Sequence, residues 1–168
     1  MIDRGHFRDD RRGVSVAVTH ILAIGITTIL LAGLLISAGS ILEQERENAA
    51  RGELNTIGDR IGGEISSVDR AATPDADERI ELETNHPSRV SGSSYTVRLR
   101  NGTVCDVSYV DAYDGCLVLS TSELDRDVVV PLDLDTKVED GAANGGDVFI
   151  VYENEPGESP TITIENDP

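Results

Sequence analysis

Residues 14–42 read VSVAVTHILAIGITTILLAGLLISAGSIL and contain no Asp, Glu, Lys or Arg. A helix of about 20 predominantly apolar residues suffices to cross a bilayer. The block therefore predicts one membrane-spanning helix. It is too long and too uniformly apolar for a core helix of a globular domain. A secretory signal has a shorter apolar region with a small-residue cleavage site after it. Here the block runs instead into the charged stretch from Glu43 to Glu47. Thr19, Thr27, Thr28 and Ser37 fit the span, because helix hydroxyls bond back to the preceding turn. His20 is ionisable and lies six residues inside the block. It is either a functional group of the span or a residue close to the interface.

The periodicity changes after residue 42. Ala50, Leu54, Ile57, Ile61, Ile65, Val68 and Ala72 recur every three or four positions, which marks one apolar face of a helix. Glu53, Asp59, Arg60, Glu64 and Asp69 lie off that face, and Glu47 with Arg51 makes a favourable i,i+4 pair. Gly52, Gly58, Gly62 and Gly63 each cost up to about 1 kcal/mol relative to Ala. The helix thus needs something to pack on, either its own head or neighbouring subunits. Pro74 ends it.

Beyond Pro74 the apolar residues alternate. Strands are predicted at 79–84, with Ile80 and Leu82 on one side, and at 94–100, with Tyr95, Val97 and Leu99 opposite Thr96, Arg98 and Arg100. Asn101-Gly102 predicts a two-residue hairpin turn into a strand at 103–110. A second turn at Asp114-Gly115 leads to 116–120, and further strands are expected at 127–134, 147–153 and 161–165. Pro131 confines its strand to an edge or a bulge. The expected fold class is α+β: a long N-terminal transmembrane and stalk helix followed by an antiparallel β-rich head, a pilin-like lollipop. The divisions are a leader at 1–13, a transmembrane helix at 14–42, an amphipathic extension at 43–72 and the head at 73–168.

Charge sharpens this division. The net charge is −17, and all but three of the 31 acidic residues follow position 42. Four of the 14 basic residues lie in 1–13. By the positive-inside rule these arginines keep the N-terminus in the cytoplasm and send the acidic body outward. Such a body repels nucleic acid. Lys137 is the one lysine against thirteen arginines. Abundant acid with little lysine matches the style of salt-loving archaea, where salt screens self-repulsion; an ordinary acidic secreted domain is the plainer reading.

Directly before the apolar block stands Asp9-Asp10-Arg11-Arg12-Gly13, and the block opens with Val14-Ser15. This junction, with the Ile/Leu/Ala/Thr-rich helix after it, resembles the N-terminus of archaeal type IV pilins, haloarchaeal ones especially. The likeness covers roughly residues 9–42. It implies cleavage by a prepilin peptidase between Gly13 and Val14, with Arg12 as the preceding basic residue. It also implies that the exposed helix joins other pilin-like subunits in a cell-surface filament, with the membrane as its store. The alternative is an uncleaved single-pass surface protein whose head binds a ligand or partner.

Cys105 and Cys116 lie in the acidic body. Outside the cell they would pair as a disulfide; free buried thiols are the other reading. Asn101-Gly102-Thr103 is an N-glycosylation sequon at the expected hairpin tip. His6, His20 and His86 are widely spaced, and there is no HExxH, GxSxG, Walker loop or CxxC. Asp133, Asp135, Glu139 and Asp140 fail the EF-hand pattern, since Val138 stands where Gly is required and Asn144 where the closing Glu is. No catalytic constellation, metal site or cofactor is expected.

Overall fold

The computed structural model describes residues 9–73, 77–102, 105 and 115–166, with side chains from residue 16 onward. Among the described residues one helix, α1, runs from Asp9 to Ala71, and eight strands follow it. The architecture is α+β. By its internal contacts the chain divides into two compact units, Met1–Glu45 and Arg46–Pro168. The amphipathic part of α1 belongs to the second unit, with the strands.

In that second unit the stripe read from the sequence is the helix's buried face. Ala50, Leu54, Ile57, Ile61, Ile65 and Val68 are all buried and Ala72 packs against them. Arg51 donates to Glu47 at 3.3 Å and Arg60 to Glu64 at 3.1 Å, both one turn apart. Gly58 and Gly62 bring the helix close to a sheet. A Cβ on Gly58 would stand 2.8 Å from Val130 and 2.9 Å from Leu119; one on Gly62 would stand 3.1 Å from Leu132. The glycines that cost helix propensity thus set the packing distance.

The strands are β1 Glu78–Asn85, β2 Tyr95–Asn101, β3 Gly115–Thr121, β4 Val128–Leu132, β5 Lys137–Val138, β6 Gly141–Asn144, β7 Asp147–Asn154 and β8 Thr161–Glu165. They form two four-stranded sheets, ordered β1-β7-β8-β5 and β4-β3-β2-β6. All pairs are antiparallel except the short parallel pair β5–β8. Alternation decides what each strand buries. Tyr95, Val97 and Leu99 of β2 and Ile150 and Tyr152 of β7 enter one core with the helix stripe. β4 is an edge strand, where Pro131 leaves a ladder position without an N–H.

The turn expected at Asn101-Gly102 does not form there. β2 extends through Asn101, which lies opposite Gly115, so its hairpin partner is Gly115–Thr121 rather than a strand at 103–110. The competing bonds explain why. The Asn101 N–H donates to Asp140 at 3.0 Å, and its side-chain amide reaches the Val138 carbonyl at 3.5 Å. These partners hold Asn101 in the sheet. Gly115 opens β3 instead of lying in a turn. Of the expected strand, only Cys105 is among the described residues, and it lies in no strand. β5 and β6 were not foreseen, being too short or too small in side chain to show alternation.

The two sheets meet closely. A Cβ on Gly141 of β6 would strike Thr163 and Ile164 of β8, and one on Gly115 would stand 2.7 Å from Val138. Asn166, just past β8, accepts from the Asn144 N–H at 2.7 Å and donates to the carbonyls of Asn144 and Asp147 at 3.1 and 2.9 Å. It ties the end of β8 to the β6–β7 link. Gly146 in that link has φ +118°, a conformation L side chains rarely adopt.

Candidate functional site

In the first unit, the apolar part of α1 presents its side chains outward on every side. Val16, Ile21, Ile29, Leu35 and Ile36 are all more than two-thirds exposed. A helix apolar all round belongs in lipid or among other helices. Three of its hydroxyls bond back to its own backbone: Thr27 donates to the Ala23 carbonyl at 2.6 Å, Thr28 to Ile24 at 2.8 Å and Ser40 to Ser37 at 2.9 Å. Residues 16–42 span about 40 Å at 1.5 Å per residue. α1 is therefore long and apolar enough to cross a membrane. Val18, Ile21, Leu22, Ile26 and Ile29 ring Gly25 on one face, and a Cβ there would meet nothing within 4 Å.

The junction residues Arg12, Gly13 and Val14 fall within α1, while their side chains lie outside the described residues. In the second unit, the sulfurs of Cys105 and Cys116 are bonded. Asn101 ends β2 half-buried, instead of standing at a hairpin tip. The acidic run splits in use. Asp140 binds Arg100 at 2.9 Å and the Asn101 N–H, while Asp133, Asp135 and Glu139 are exposed. Asp69 of α1 caps the same run, accepting from the N–H groups of Asp135 and Thr136 at 3.1 and 3.0 Å. Among the described residues, no group of three or more His, Cys, Asp or Glu is placed to hold a metal ion.

One buried polar cluster was not anticipated. The His86 side chain is fully buried, with Nε2 3.2 Å from Glu64 Oε2 on the helix and 2.9 Å from Thr84 Oγ1 on β1. Thr84 Oγ1 itself lies 3.2 Å from the Val148 carbonyl, to which it donates. Having given its own proton to Val148, Thr84 Oγ1 accepts from Nε2–H, which leaves Nδ1 a buried acceptor with no partner among the described residues; Glu64 Oε2 is likewise buried without a hydrogen-bond partner among them. Burial pushes the imidazole below the usual histidine range; Glu64 opposes that and Arg60 adds to it. A signal for part of the cluster was present: Thr84 continues the inward register of Ile80 and Leu82. The meeting of Glu64 with His86 needed the helix-to-sheet packing.

The sequence pattern of a family of unknown function (DUF7266) matches residues 9–165, so it takes in α1 and the eight described strands. No curated protein and no solved structure matches the chain.

Proposed function

The chain belongs to the DUF7266 family, whose function is unknown, and we propose that it is a type IV pilin-like subunit, exported as a single-span membrane precursor. Its role is structural, as a main or minor component of an archaeal cell-surface filament suited to high salt, and it has no catalytic step. A prepilin peptidase cuts between Gly13 and Val14, after Arg12. The apolar segment is held in the membrane with the acidic head outside, then packs among the same segments of other subunits.

The observation that carries this reading is the contrast within α1. Its first part exposes an unbroken apolar surface, whereas the stripe from Ala50 to Val68 is already covered by strands of the same chain. The exposed part needs a lipid or helical environment and the covered part does not. The test is the mature N-terminus of native protein by mass spectrometry. A terminus at Val14 supports the filament reading. A chain retaining residues 1–13 sinks it and leaves an uncleaved, anchored surface protein.

A further inference from the structure

We propose that the bond between Gly13 and Val14 is closed to a peptidase while α1 is intact, and that Gly13 is the residue that lets this turn of the helix open for cleavage. This rests on the processing step proposed above and adds what sets its rate.

The bond lies inside regular structure. α1 runs without a break through Arg12, Gly13 and Val14. In an α-helix each N–H bonds to the carbonyl four residues back. The Val14 N–H therefore pairs with the Asp10 carbonyl, and the Ala17 N–H with the Gly13 carbonyl. A peptidase binds its substrate as an extended strand, through backbone groups that a helix keeps for itself. Hydrolysis adds one water across the bond. The Gly13 carbonyl carbon gains the oxygen, the C–N bond breaks, and a carboxylate on Gly13 and an ammonium group on Val14 remain. A helical turn offers the peptidase neither an extended strand nor a free carbonyl, so the turn unwinds first.

The sequence makes this the easiest place to unwind. Four charged residues, Asp9 to Arg12, stand on one side of the bond, and the uncharged block 14–42 stands on the other. Backbone groups freed on the charged side are taken up by water. In hydrocarbon they have no partner. Opening is thus confined to the charged end and stops where lipid begins. Gly13 stands at that border. A glycine loses more conformational freedom than any other residue on entering a helix, so the turn that holds it opens most readily. The next glycine, Gly25, lies deep in the apolar block.

Ala17 provides the means to separate opening from recognition. It lies one turn beyond Gly13, and its N–H is released when the Gly13 carbonyl is freed. Both positions are outside the second unit, so the head's unfolding transition reports whether each variant is intact.

The test follows cleavage of the full-length chain, reconstituted in lipid vesicles, by a purified prepilin peptidase. Intact mass reads the loss of residues 1–13, and hydrogen exchange reads the opening of the Val14 amide. Gly13→Ala should slow both roughly fivefold, the effect of the difference in helix propensity. Ala17→Gly should speed both by a similar factor. Gly13→Ala/Ala17→Gly moves the glycine by one turn and should return both to the parent's values. A glycine needed only to fit the peptidase's own pocket would leave the double variant as slow as Gly13→Ala, which overturns the proposal. Cleavage of Gly13→Ala at the parent's rate, or of Ala17→Gly no faster than the parent, overturns it equally. The processing reading is judged on the parent alone. If the parent is cut between Gly13 and Val14, that reading stands whatever the variants do. If the parent is left uncut, it falls and takes this inference with it.

Discussion

His86 and Glu64 face one another across the packing of α1 against β1, 3.2 Å apart, with the imidazole wholly out of solvent. The pair is a long-range link, between a helix residue and the residue that follows β1. Its chemistry makes the second unit sensitive to acid.

Burial sets the folded pKa of His86 below its unfolded value of 6.5. The unfolded chain therefore takes up this proton at a higher pH than the folded chain. The stability His86 provides is fully present above the unfolded value and falls as pH drops through it toward the lower folded value. Denaturant midpoints measured from pH 8 to pH 5 should decline, and His86→Gln should flatten that decline. Equal slopes in both proteins would refute the assignment.

The glycines of α1 should divide by what lies beside them. Gly58→Ala drives a methyl to 2.8 Å from Val130 and should lower stability by about 1–3 kcal/mol. Gly63→Ala meets nothing within 4 Å and should raise it by about 0.5–1 kcal/mol through helix propensity. Thermal unfolding of the two variants should shift in opposite directions.

Removing the Cys105–Cys116 bond by a double substitution to Ser should cost about 2–3 kcal/mol, since the closed loop is short. Reducing agent should lower the parent's melting temperature and leave that of the double variant unchanged.

Ile61→Ala should destabilise the second unit by about 2–5 kcal/mol, because Ile61 is fully buried among sheet residues. Leu35→Ala, in the exposed apolar segment, should leave that unfolding transition where it is. Hydrogen exchange in the strands reads both outcomes.

These residues mark how far the sequence could be read. The buried stripe of α1 was legible because a period near 3.6 forces one face inward, and β1, β2, β7 and β8 were legible because alternation does the same. β6, Gly141–Asn144, has only small or polar side chains and offers no such signal. The Asn101-Gly102 turn was misread because local propensity was weighed without Asp140, whose carboxylate holds Asn101 in the strand. The His86 cluster was half visible: Thr84 obeyed the alternation, but Glu64 looked like an ordinary solvated helix residue until the helix was placed.

The order of strands also has a consequence in time. β8 pairs with both β7 and β5, and its Ile162 and Ile164 belong to the same core as Leu54 and Ile61. A chain made from its N-terminus therefore presents the apolar stripe of α1 long before the strand that helps to cover it exists. Until β8 arrives, the nascent head carries bare isoleucines and an open sheet edge, and needs shelter from aggregation during synthesis.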